Sequence, residues 1–359
     1  MTAPAELDFS VVEAKAGLAF GYLSGAIVSG MIHLGDRLGL YQRMAGAGPL
    51  TSEDLAAKAG LSERWVREWL RGQAAAGIIT HRGAGRFELT AEEALVFADE
   101  STPASVIGAF GDLPDQIALL RHTPESFRTG LGLTYDQAGP AVATGVERMV
   151  GPWNRSALVG EALPKIDGLI ARLEKGAKVA DVGCGAGVAT VAMAQAFPNS
   201  SFHGYDNSLH ALARAAANLS ESGLSNLTFH NADSDPLPAD ASFDFVTCLD
   251  CLHDMAHPEI VAAAIRKAIK PDGIWFIVDV NCADNWEDNM ENPLGAMLYG
   301  FSVLLCMSSS MSVADGLGLG TAGLPPARMK QLVTDAGFNR FAPVPGLEHP
   351  FNAYYVVRP

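Results

Sequence analysis

From Lys178 to the C-terminus the chain alternates short, unbroken apolar runs with longer amphipathic segments, and this alternation constrains the fold more than any other feature. The runs Lys178–Val182, Ser201–Tyr205, Asn226–His230, Phe243–Leu249 and Ile274–Val280 read as strands. The segments Val188–Ala196, Leu209–Ser222, Ile260–Ile269 and Pro326–Ala336 between or after them read as helices. Strands that are apolar on both faces need cover on both faces, which a parallel sheet flanked by helices provides. Phe338–Val344 and Asn352–Val357 then predict a closing antiparallel hairpin. The expected class is α/β, a doubly wound Rossmann-like sheet with a reversed C-terminal hairpin.

The N-terminal third is punctuated differently. Ile32–Met44 has apolar residues at helical spacing and is stopped by Gly46-Ala47-Gly48-Pro49. Thr51 and Asp54 form a capping pattern before a short helix Glu53–Ala59, Gly60 turns the chain, and Ser62 opens a helix Glu63–Ala76. Ile78-Ile79-Thr80 and Phe87-Glu88-Leu89-Thr90, joined through Gly83-Ala84-Gly85, complete a winged helix. Between about Thr102 and Leu173 lies an irregular helical connector interrupted at Pro114, Pro124, Gly139-Pro140, Pro152 and Pro164. Three regions are expected: a winged-helix domain over 1–98, a connector covering a substrate pocket over 99–174, and a catalytic domain over 175–359.

A net charge of −15 argues against nucleic acid and against an anionic membrane surface as partners. Ala16–Leu34 carries no formal charge, but its glycines, serines and His33 make it weakly apolar, so it reads as a buried helix, at a subunit interface if the chain dimerises. Met1–Glu13 has acids and no basic region, unlike a secretory signal. Five cysteines in 359 residues are too few for a disulfide scaffold and read as reduced thiols of a cytoplasmic protein.

The chemistry concentrates after the strands. Asp181-Val182-Gly183-Cys184-Gly185-Ala186-Gly187 ends the first strand and opens the first helix, where glycines allow a tight bend and direct contact with a ligand. Its G-x-G-x-G spacing places Val188 where a dinucleotide fingerprint needs its third glycine. Asp206, followed by Asn207, ends the second strand, where an acid can accept from both ribose hydroxyls, and Asp233-Ser234 follows the third, in reach of an adenine amino group.

These ordered motifs resemble the class I S-adenosylmethionine (SAM) dependent methyltransferases over residues 178–359. The resemblance implies that Asp181, Gly183, Cys184, Gly185 and Gly187 hold the methionine part of SAM, Asp206 and Asn207 the ribose, Asp233 and Ser234 the adenine, and that the backbone of Leu249 lies near the amino group. The run Leu252-His253-Asp254 is similar to that of winged-helix O-methyltransferases of plant phenolic and bacterial polyketide metabolism, in which this histidine is the general base; the domain layout is similar too, and looks closer still to that of mycobacterial winged-helix methyltransferases. Met255 departs from that pattern, standing where tryptophan is usual. His253 and Asp254 are therefore the expected catalytic residues, with Asp279 and Glu287 as candidates for the acid that orients the ring.

Methyl transfer is an in-line displacement, so alignment of acceptor and methyl group is the main task, and a base adds about 10²–10⁴ for an oxygen acceptor. Met149, Trp153, Met290, Met297 and Phe301, with Phe127, Trp286 and Tyr299, are expected to line a pocket for a small aromatic or lipophilic acceptor. Cys184, Cys248, Cys251 and Cys282 fall near strand ends and read as small apolar packing; no metal is expected. Arg64, Arg67 and Arg71 lie on what would be a DNA-reading helix, but Glu63 and Glu68 intervene, and Trp65 with Trp69 suggests an apolar contact face in a dimerisation scaffold. The leading reading is O-methylation of a small molecule by a cytoplasmic homodimer; the alternatives are a SAM-sensing transcription regulator and a SAM-binding enzyme of another reaction.

Overall fold

A computed structural model describes residues 7–359; the first six residues of the acidic N-terminal segment lie outside them. Contacts divide the chain into two compact units, Met1–Pro114 and Asp115–Pro359, so the expected connector contributes its first residues to one and the rest to the other.

The first unit is a winged helix. Helix α1 (Phe9–Arg37) is capped by Asp8 and stops at Leu38. The continuous helix expected over Ile32–Met44 is broken there, because Gly39 takes φ 63° and α2 (Leu40–Met44) starts in a new direction. Thr51 and Asp54 form a reciprocal capping box on α3 (Ser52–Ala59), and Gly60 closes it in the left-handed conformation. Helix α4 (Glu63–Ala75) follows, then a wing of two short antiparallel strands, β1 (Thr80–His81) and β2 (Phe87–Glu88).

Tyr41, Met44, Leu55, Val66, Trp69 and Leu70 make the core of this unit. Gly35 is required where α1 passes this core, since a Cβ there would stand 2.5 Å from the Trp69 ring and 2.6 Å from Tyr41. The two tryptophans differ in burial: Trp69 is buried and donates its indole N–H to the Met31 carbonyl at 2.9 Å, whereas Trp65 is 80% exposed. Arg64 and Arg67 pair with Glu68 and Glu63 on the surface of α4.

The reading of Ala16–Leu34 as buried is corrected. Most of α1 is exposed, with Phe20, Tyr22, Leu23 and Ile27 all open to solvent. It is 29 residues long and, by length and composition alone, apolar enough to cross a membrane.

The second unit holds a seven-stranded mixed sheet: β3 (Lys178–Val182), β4 (Ser201–Asp206), β5 (Leu227–Asn231), β6 (Phe243–Leu249), β7 (Ile269–Val280), β8 (Arg340–Pro343) and β9 (Asn352–Arg358), in the order β5-β4-β3-β6-β7-β9-β8. β3 to β7 are parallel, and β9 runs antiparallel to β7 and β8. The chain winds outward through β3, β4 and β5, then returns to lay β6 on the other side of β3. That reversal puts the crevice of a doubly wound sheet between the C-terminal ends of β3 and β6.

One core lies on each face: Val179, Phe202, Phe245, Phe276 and Tyr354 on one, Ala180, Val246, Trp275, Ile277 and Val357 on the other. The helix expected over Ile260–Ile269 starts earlier, at Pro258, whose fixed φ suits a first helical turn, and Ile269 belongs to β7. Pro152 does not interrupt the connector; it sits inside the helix Pro140–Ser156.

Candidate active site

The ends of four strands, β3, β4, β5 and β6, build the site. After β3 the chain turns through Gly183, Gly185 and Gly187, with φ of 73°, 56° and 72°. Two of these glycines are also demanded by crowding: a Cβ on Gly183 would stand 2.6 Å from Cys251 Sγ, and one on Gly187 would run into the Phe229 ring. Gly185 is different. A Cβ there would meet nothing within 4 Å, so its backbone faces open space.

Asp206, at the end of β4, is the acid beside that loop. Its Oδ2 accepts from the Gly185 N–H and its Oδ1 from the Ser208 N–H, each at 2.8 Å. Burial raises its carboxyl above the usual range, against the pull of these N–H groups. Each oxygen keeps a second lone pair for a ligand hydroxyl. Asn207 and, after β5, Asp233 and Ser234 are exposed. Leu249, half-buried at the end of β6, is followed by Asp250, which takes φ 53°, a left-handed conformation uncommon for residues other than glycine.

Asp181 lies on β3, one residue before its end. It is buried inside the sheet, accepting from the Thr190 hydroxyl on Oδ2 and from the Thr247 hydroxyl, at 2.8 Å, on Oδ1. Burial pushes its carboxyl up to about 6 despite these bonds, with the Asp206 charge adding to the rise. Its contacts tie β3 to β6 and to the following helix. Cys184 likewise turns back toward β4, since a Cβ on Gly204 would lie 3.0 Å from its sulfur.

His253 and Asp254 form a 3₁₀ turn just after β6. Of the two candidate orienting acids, the fold selects Asp279 on β7: its Oδ1 lies 2.7 Å from His253 Nδ1 and accepts the Val280 N–H at 2.8 Å. Glu287 is exposed. On its other side, His253 Nε2 lies 3.1 Å from Asp254 Oδ1, and the Tyr135 hydroxyl donates to Asp254 Oδ2 at 2.7 Å. Burial alone would push the imidazole down, but the carboxylates of Asp279 and Asp254 outweigh it and hold it well above 6.5. Burial would raise Asp254, and the facing imidazolium instead lowers it. Each ring nitrogen thus faces a carboxylate oxygen, Nδ1 that of Asp279 at 2.7 Å and Nε2 that of Asp254 at 3.1 Å.

The residues expected to line an acceptor pocket differ in burial. Trp153 packs on Tyr354 with ring centroids 5.7 Å apart and belongs to a sheet core, while Met149, Met290 and Met297 are exposed and Phe301 is half-buried. Trp286 lines a shallow hollow with Asp284, Asn289, Ala322, Pro325 and Arg328. Sequence reasoning missed Tyr135, Thr190, Thr247 and Cys306, which have no local signature; only long-range packing brings them to the site.

Comparison with known proteins agrees with this architecture. Residues 173–310 match the family model described as a methyltransferase domain, and residues 26–98 match the Rv2258c-like winged HTH domain. The chain is 36% identical over 107 residues to a ubiquinone biosynthesis O-methyltransferase of Azoarcus sp., a match covering 30% of this chain and 45% of that protein. It spans about half the length of the curated relatives it matches. Among solved structures, human N-acetylserotonin methyltransferase in complex with SAM superposes with a TM-score of 0.68 at 17% identity, covering 99% of each chain. An O-methyltransferase family protein of Burkholderia thailandensis gives 0.68 at 18%, covering 99% of this chain and 98% of that one. The chain thus joins an Rv2258c-like winged helix–turn–helix domain to a methyltransferase domain of the doubly wound fold.

Proposed function

We propose that this protein is a SAM-dependent methyltransferase that methylates a hydroxyl group of a small aromatic or lipophilic molecule. The observation that carries the reading is the open cradle at Gly185: a glycine backbone facing free space at the reversal point of the sheet, with the Asp206 carboxylate bonded to its N–H. A side chain at Gly185 would fill that space, and the neighbouring strand ends supply acceptors of the kind that adenosine hydroxyl and amino groups need. Gly183, Gly185 and Gly187 would hold the methionine part against backbone, with Cys184 behind them; Asp206 and Asn207 would bind the ribose, Asp233 and Ser234 the adenine, and the Leu249 backbone the amino group. Asp181 supports the loop from below.

Bound SAM supplies an activated methyl group on a sulfonium. The protein's own task is to align an acceptor in line with it and to manage one proton. His253, oriented by Asp279, is the base proposed for that proton, and Asp254 must first yield Nε2 for the ring to act so. The acceptor side is proposed around Met149, Trp153, Met290, Met297 and Phe301 after rearrangement, since several of these are exposed at rest. Calorimetry of SAM and its demethylated product tests the reading: both should bind, and Asp206→Ala should abolish binding. Silence with the intact protein would overturn it.

The protein is further proposed to be cytoplasmic, which its five free cysteines support, and homodimeric, with the exposed apolar α1 seated on a second copy of the chain. A regulatory role on DNA is not favoured, because Arg64 and Arg67 are paired with glutamates on their own helix.

A further inference from the structure

Two neighbouring side chains tie the opposite walls of the crevice together. Tyr135 donates its hydroxyl to Asp254 Oδ2 at 2.7 Å, on the turn after β6. Asp136 serves the other wall, at the N-terminus of the helix Leu209–Ser222 that follows β4. Its Oδ1 accepts from the Ser208 hydroxyl at 2.6 Å and the His210 N–H at 3.3 Å, and its Oδ2 from the Leu209 N–H at 3.0 Å. Burial opposes the charge, but these bonds hold the Asp136 carboxyl below the usual range, so an anion sits on donors that a helix start leaves unpaired. Ser208 also donates its N–H to Asp206 Oδ1 at 2.8 Å, so one serine joins Asp136 to the acid proposed for the ribose.

The sheet order puts β3 between β4 and β6, whose axes are therefore about 9–10 Å apart. Residues 135 and 136 reach one wall each, so their segment crosses the C-terminal end of β3, where the glycine loop begins. That segment is built to move as a piece. It runs from Gly130 to Gly139, which take φ of 77° and 101° at the ends of the helices Thr123–Thr129 and Tyr135–Ala138. Between them, a capping box of Thr134 and Gln137 holds the short helix together. Its apolar contacts, through Leu133, Tyr135 and Ala138, are with a small cluster of Leu119, Val142, Leu305 and Cys306, separate from the two cores of the sheet.

We infer that Tyr135 and Asp136 are positioning residues that latch the segment 130–139 as a gate across the crevice, so that the cofactor enters and its demethylated product leaves only when both latches part. The inference rests on the cofactor reading above. Neither residue takes part in the transfer itself. Asp136 steadies Asp206 through Ser208 while the gate is shut, and Tyr135 fastens the gate to the turn that carries His253.

Release of the demethylated product, followed by stopped flow in the full chain, tests the gate. Asp136→Ala and Tyr135→Phe should each speed release by about tenfold or more, since each removes charge-assisted hydrogen bonds from the closed state. Asp136→Asn, which keeps an acceptor but not the charge, should fall between Asp136→Ala and the wild type. Arg128→Ala, outside the latches, should leave release unchanged. The latches hold opposite walls, so a merely local loss of the helix cap would follow Asp136→Ala and not Tyr135→Phe. Hydrogen exchange read by mass spectrometry should show amides 130–139 slowed by saturating SAM in the wild type, and faster in both latch variants without it. Release unchanged by either latch variant, or amides 130–139 that exchange equally with and without bound SAM, overturns the gate. Calorimetry on the same samples keeps the two readings apart: no SAM binding to the wild type refutes the cofactor reading and the gate with it, whereas binding without protection refutes the gate alone.

Discussion

Replacing Gly185 by alanine separates the cradle from the stability of the fold. Gly185 has φ 56° with open space where a Cβ would go, so the fold should tolerate Gly185→Ala at the cost of a left-handed alanine, about 1–2 kcal/mol. For a unit of this size each kcal/mol lowers Tm by about 2–4 °C, so a fall of roughly 2–8 °C is expected. Gly223→Ala is a matched control: φ is 66°, nothing lies within 4 Å of the added atom, and the residue closes the helix Leu209–Ser222 at the end remote from Asp206. The two variants should lose similar stability. They should differ in binding, because a ligand lying on the Gly185 backbone at van der Waals contact, about 3.5–4 Å, cannot share that space with a methyl group. A loss of at least a hundredfold, about 3 kcal/mol, is expected for Gly185→Ala and none for Gly223→Ala, read by calorimetry with SAM. Equal SAM affinities in the two variants would refute the placement of the cofactor on this loop.

Asp181 gives a pH signature. Its folded carboxyl titrates at about 6, above the unfolded value near 3.8, so the folded state holds the extra proton and stability falls as pH rises between about 4 and 6. A difference of some two units corresponds to about 3 kcal/mol, and Asp181→Asn should flatten this slope in urea denaturation; a slope unchanged by the substitution would contradict the assignment. His253→Ala should leave SAM affinity nearly intact and slow turnover by about 10²–10⁴, measured as methyl transfer from labelled SAM; unchanged turnover would remove His253 from the reaction. Phe20→Asp with Leu23→Asp, on the exposed surface of α1, should convert a dimer to a monomer by light scattering, and an unchanged mass would show that α1 does not hold the copies together.

The sequence by itself determined what depends on local period and punctuation. Lys178–Val182, Phe243–Leu249, Val188–Ala196 and Leu209–Ser222 have the boundaries their patterns imply, because continuous apolar runs and capped amphipathic segments are local signals. The glycine bend and Asp206 were legible for the same reason, since each follows directly on its strand. Tertiary structure alone decided which side chains meet. Asp279 is separated from His253 by a helix and most of a strand, and it faces the ring only because β6 and β7 are parallel neighbours. Asp181 reads as a ligand group in its motif, yet Thr190 and Thr247 draw both its oxygens into the sheet. Cys306 reaches the histidine and Tyr135 reaches Asp254 from distant segments, and α1 is exposed although it is apolar. Burial and hydrogen-bond satisfaction are properties of the packed whole, and no spacing along the chain encodes them.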